Sequence, residues 1–90
     1  MTEEFFFTPH FYDSKDRDMA GQPGTGVCRF EARSRTEAIS RCRELIQTRK
    51  KPEGFVTGWI QLLSPTTAQL WSFWIDKDGV ITKEECEYAP

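Results

Sequence analysis

Four side chains in this 90-residue chain are of the types that bind zinc or attack an electrophile: His10, Cys28, Cys42 and Cys86. A thiolate is both ligand and nucleophile, and imidazole is the commonest general base. Their spacing works against both uses. No CxxC pair occurs, and gaps of 14 and 44 residues between successive cysteines are not those of a zinc module. Cys28 and Cys42 each fall on an apolar stripe, where a free thiol behaves as a small hydrophobe; they are the one pair that could approach closely enough to oxidise. Cys86 lies among Glu84, Glu85 and Glu87, whose charge disfavours its thiolate. A catalytic dyad or triad would have to use His10, the sole histidine, with Asp13 near it in sequence or with a cysteine, and a lone histidine beside aromatics is more often a packing or surface residue. No catalytic residue, metal ligand or cofactor site is therefore assigned, and the chain reads as a non-enzyme.

Two short motifs invite other chemistry. The ten residues from Asp76 to Glu85 resemble positions 3 to 12 of an EF-hand calcium loop, with Gly79, Ile81 and Glu85 at matching places. Position 1 would be Trp74, which has no oxygen to offer, and the preceding residues pattern as a strand. The stretch reads better as a hairpin turn, with Asp76, Asp78 and Glu85 as its only calcium candidates. The glycine-rich segment 21–26 suggests a phosphate loop. It runs into a strand rather than a helix N-terminus and lacks the Lys-Ser/Thr pair.

These side chains must be positioned by a few short elements. Residues 4–12 carry Phe5, Phe6, Phe7, Phe11 and Tyr12, a strand composition in which Pro9 predicts an edge position or a break. Residues 13–26 shift to Asp, Ser, Gly and Pro and predict a mobile surface loop. Residues 27–33 alternate, with Cys28, Phe30 and Ala32 on one side and Arg29, Glu31 and Arg33 on the other. Ser34-Arg35-Thr36-Glu37 is a capping box, and Ala38, Ile39, Cys42, Leu45 and Ile46 follow as one helical stripe. Arg49, Lys50 and Lys51 suit the helix C-terminus, and Pro52 and Gly54 stop it. Strands follow at 55–63 and 68–75, a hairpin turn closes on Gly79, and a short fifth strand covers 80–82 before an acidic tail at 84–90. The fold class is α+β: a single small domain over 1–90, with an antiparallel sheet of about five strands and one amphipathic helix on one face, in the order β-β-α-β-β-β.

Composition bounds the function. Aromatics are 13% of the chain and the net charge is −2, which excludes wholesale disorder. The uncharged run 54–75 is interrupted by Gln61, Ser64, Pro65 and Gln69, so two strands around a turn fit it and a membrane span does not. An acidic N-terminus and an odd number of cysteines point to a cytoplasmic protein with free thiols.

One helix covers one face of a sheet, yet the third and fourth strands are apolar on both. Trp59 opposes Ile60 and Leu62; Trp71, Phe73 and Ile75 oppose Trp74. The second face must meet the first strand's aromatics closing a two-sided core, a second copy of the chain, or a partner protein. Charge is also uneven. Residues 29–51 hold eight basic and three acidic groups, the rest four basic and eleven acidic. The first reading is a non-enzymatic macromolecule-binding protein that docks on a protein partner, with a homodimer as one form of it, through Trp59, Trp71 and Trp74 and through Arg29, Arg33, Arg41 and Arg43. The alternative is a small nucleic-acid-binding module using the basic strand–helix segment 29–51. In size and element order the chain is similar to the compact accessory proteins carried by phages and other mobile elements, including inhibitors of host defence. That likeness implies action by blocking a host system and carries over no site residue.

Overall fold

A computed structural model describes residues 1–66 and 68–86. Five strands and one helix follow in the order β1 (Glu3–Tyr12), β2 (Cys28–Ala32), α1 (Arg35–Thr48), β3 (Thr57–Leu63), β4 (Gln69–Ile75) and β5 (Ile81–Cys86). They form one sheet, β2-β1-β3-β4-β5, in which every neighbouring pair is antiparallel. The α+β class and the β-β-α-β-β-β order are those the sequence predicts.

The helix begins where its chemistry says it should. Ser34 is in extended backbone, and its hydroxyl accepts from the Glu37 amide at 3.1 Å. Ala38, Ile39, Cys42 and Ile46 are buried against the sheet, with Leu45 half-buried beside them. At the other end the Lys51 ammonium donates to the Ile46 and Arg49 carbonyls, two acceptors the last turn leaves without helical partners. Burial pushes the Lys51 pKa below its ordinary value.

Three expectations are corrected. First, β1 is not an edge strand: it lies between β2 and β3. Pro9 is tolerated because of where β2 stops. The Phe11 carbonyl accepts from Met19 on the β2 side, while the Tyr12 carbonyl accepts from Val56 beside β3. Odd-numbered residues of β1 thus turn their backbone groups away from β3. The last β1–β2 pair is Phe7–Cys28, so Pro9 lacks an amide where no strand asks for one. Second, β1 does not fold over the sheet to make a two-sided core. It joins the sheet, and Phe5, Phe7 and Phe11 are buried on the helix side with Ile60, Leu62, Phe73 and Ile75. Third, the last strand does not end at Thr82 but continues to Cys86, so Glu84 and Glu85 are strand residues. The remainder of the acidic tail, 87–90, lies outside the described residues.

The 13–26 segment is tied to the body at several points. The Asp13 carboxylate accepts from the Lys15 and Arg17 amides, and Met19 is buried in the core. Further along, the Asp76 carboxylate accepts from the Asp78 and Val80 amides and Gly79 has φ 80°, which closes the β4–β5 hairpin. Gly24 has φ 88°, and a Cβ on it would stand 2.4 Å from the Lys50 carbonyl oxygen. Gly24→Ala is expected to destabilise the fold by about 2–3 kcal/mol, left-handed strain plus displacement of backbone. Gly26→Ala, with nothing within 4 Å of its Cβ, should change stability by less than about 0.5 kcal/mol. Urea denaturation of the two variants beside the parent chain measures the difference.

Candidate docking face

Alternation along the strands sends one set of side chains to the helix and the other to the opposite face. On that opposite face no described element packs. Register places His10 beside Trp59, Trp59 beside Trp74, and Trp74 beside Lys83, on four successive strands. Cross-strand neighbours lie close enough for rings to touch, and here they stack. The His10 and Trp59 rings are 4.5 Å apart at 18°, and the Trp59 and Trp74 rings 6.4 Å apart at 14°. The Lys83 ammonium lies 4.7 Å from the Trp74 centroid. The Trp59 indole N–H points to the Tyr12 hydroxyl at 3.4 Å. All of these rings are half-buried.

The next row along the strands is polar. The Gln61 amide nitrogen donates to Gln69 Oε1, and the Gln69 amide nitrogen donates to Ser72 Oγ at 2.9 Å. Gln61 Oε1 also lies 2.8 Å from His10 Nε2. Beyond this row lies the apolar pair Phe6 and Leu63. Two ion pairs flank the face, Arg29 with Glu4 at 3.7 Å and Lys83 with Glu85 at 3.3 Å, and Glu31 stands beside Glu4 on β2.

The seven residues singled out from the sequence do not converge. Trp59 and Trp74 share the open face, with Arg29 at its β2 edge. Trp71 is on the helix side, opposite Leu62, and its indole donates to Glu84 at 3.0 Å. Arg43 binds the same carboxylate with contacts of 2.7 and 3.1 Å. The Arg41 guanidinium lies 5.9 Å from the Phe30 centroid on the helix side, and Arg33 is exposed just past β2. The alternation that separates residues 71 and 74 was already in the sequence; grouping all three tryptophans ignored it. His10, Tyr12, Gln61 and Lys83 share this face, and sequence reasoning did not single them out for docking. All four are brought together by a register that no local pattern displays.

The basic segment is largely engaged by the chain itself. Besides Arg41 and Arg43, Arg49 lies 5.0 Å over the Phe7 ring and donates to the Gly26 carbonyl at 3.1 Å. His10 and the three cysteines are on opposite sides of the sheet, since Cys28 and Cys86 pair with residues of the helix face and Cys42 is in the core. None of the three cysteines is in a disulfide, and burial pushes the Cys42 thiol up to about 12. Among the described residues no three His, Cys, Asp or Glu side chains are grouped to hold a metal, and no helix is long and apolar enough to cross a membrane. No protein-family model, curated protein or solved structure matches the chain.

Hydrogen bonds from Arg43 hold the Glu84 carboxyl below its ordinary value of 4.5, with Trp71 assisting. A carboxylate so depressed stabilises the fold above the ordinary glutamate range, and that contribution is lost as pH falls through the lower folded value. Both side chains are partly exposed, so the effect is about 0.5–1 kcal/mol. Glu84→Gln is expected to lower the unfolding free energy from urea titration by that amount at pH 7, with the gap shrinking as pH drops below 4.5. A gap independent of pH would show that Glu84 acts without its charge.

Proposed function

We propose that this protein is a non-enzymatic binding protein that docks on another protein through the open face of its sheet. The observation that carries this reading is the file His10–Trp59–Trp74 on a face that no described element covers. Half-exposed tryptophans in a row are the side chains most often found to dominate binding energy, and a polar row beside them supplies direction. The arrangement favours protein over nucleic acid. A base stacks on a free ring face, but His10 and Trp74 flank Trp59, and Lys83 lies over Trp74. What the file offers is ring edges, which suit side-chain packing. Phosphate binding needs unengaged cations, and on this face Arg29 is paired with Glu4 and Lys83 with Glu85. The nucleic-acid reading of 29–51 is the weaker one, because its arginines are divided between the two sides of the sheet.

The mode is occlusion: a rigid sheet face laid over a partner's surface, as the likeness to phage and mobile-element inhibitors implies. The cytoplasm is the compartment that suits three cysteines outside any disulfide.

The test is capture of a partner by the tagged chain from an extract of its cells, with and without nuclease. A nuclease-insensitive complex is expected, weakened at least tenfold by Trp59→Ala and by Trp74→Ala and unchanged by Gln47→Ala on the exposed side of the helix. A complex dissolved by nuclease, or one indifferent to both tryptophans, would overturn the reading.

A further inference from the structure

We infer that the outer edge of β2 pairs with the same edge of a second copy of this chain, antiparallel about a two-fold axis at Phe30, so that one sheet continues into the other. The edge is separate from the open face and leaves the His10–Trp59–Trp74 file uncovered. The inference therefore goes beyond the docking reading and stands or falls apart from it.

The backbone is the first argument. β2 is paired only on its β1 side. Odd-numbered residues of β1 turn their backbone groups toward β2, where Phe5 stands opposite Phe30 and Phe7 opposite Cys28. Cys28, Phe30 and Ala32 therefore bond inward, while Arg29 and Glu31 turn their N–H and C=O groups outward. The Cys28 thiol makes a weak 3.6 Å contact with the Arg29 carbonyl. No other hydrogen bond to those outward groups occurs among the described residues. Such an edge is a template for another strand.

Register is the second. An antiparallel strand that pairs with its own copy sets one residue opposite itself. With Phe30 in that place, Arg29 faces Glu31 of the other copy, and Glu31 faces its Arg29. The outward backbone groups then meet in four hydrogen bonds, two for each Arg29–Glu31 pair. An axis moved by one residue sets Arg29 or Glu31 against itself. The opposite edge offers no such register. The middle of β5 is Lys83-Glu84-Glu85, so every axis there opposes like charges, and its pairing with β4 is shifted between Trp74 and Ile75.

The third argument is a charge that one copy leaves unanswered. Glu31 stands beside Glu4 on β1, and Arg29 reaches Glu4 at 3.7 Å. No ion pair to Glu31 occurs among the described residues. Like charges on adjacent strands repel, and a second copy brings its Arg29 to Glu31. Arg33 lies just past the strand, toward Val27 of the other copy. On the helix side the pairing brings the two exposed Arg41 heads nearer each other. Salt screens them, and each keeps its place over a Phe30 ring.

One strand pair is a small interface, so the dimer is a weak one. Sedimentation equilibrium up to about 1 mM tests it on the full chain. The mass is expected to rise toward twice the 10.5 kDa of one chain. Arg29→Glu and Glu31→Arg should each hold the single-chain mass with unchanged far-UV circular dichroism. An equimolar mixture of those two variants should recover the doubled mass, because each then faces opposite charge. The double variant Arg29→Glu/Glu31→Arg should recover it alone. In the parent chain, hydrogen exchange of the Arg29 and Glu31 amides should slow at least about fivefold as the dimer forms. A single-chain mass throughout, a doubled mass that both single variants keep, or a doubled mass without slowed exchange at 29 and 31 would each overturn the inference. A single-chain mass beside tryptophan-dependent capture of another protein leaves the docking reading standing, and a doubled mass without such capture leaves only the edge pairing.

Discussion

The constraint on which this structure depends is a mismatch of width. A helix is about 10–12 Å across with its side chains, whereas five strands span roughly 24 Å. The single helix seals the middle of one face and leaves that face's flanks and the whole of the other to be dealt with differently. Much of the sequence is explained by what happens at those uncovered places.

On the helix side the flanks are closed by long cationic side chains. Arg43 reaches β5 and binds Glu84 beside Trp71, Arg41 lies over Phe30 of β2, and Arg49 lies over Phe7. Arginine does this well, because its stem covers apolar surface and its planar head stacks on rings. Lys51 turns back to close the helix itself. The positive segment that looks like a phosphate-binding strip is thus in good part a set of covers for a sheet wider than its helix. The acids that balance it lie mostly elsewhere in the chain, and only the fold brings Glu84 to Arg43.

On the far side the solution is mutual. Instead of a second layer, His10, Trp59 and Trp74 shield one another by stacking, and Gln61, Gln69 and Ser72 satisfy one another by hydrogen bonding. The face is therefore neither a greasy patch nor an ordinary hydrophilic exterior. Its rings are held in an ordered stack, which lowers the side-chain entropy left to freeze out if anything packs against them.

The sequence by itself determined the elements and their sidedness. Ser34 marks the helix start, the stripe from Ala38 to Ile46 marks its buried face, and strict alternation assigns Phe30, Ile60 and Phe73 to one side and Trp59 and Trp74 to the other. These are local matters, governed by caps and by periods of 3.6 and 2 residues. Tertiary structure decided who stands beside whom. The interior place of β1, which Pro9 seemed to forbid, follows from the short reach of β2. The extension of β5 through Glu84 and Glu85 follows from pairing with β4, which outweighs the poor strand propensity of glutamate. The file from His10 to Lys83 exists because the register of four strands, between residues up to 73 apart in the chain, happens to align them. No local periodicity encodes that alignment; it is set by which strands pair and in what register.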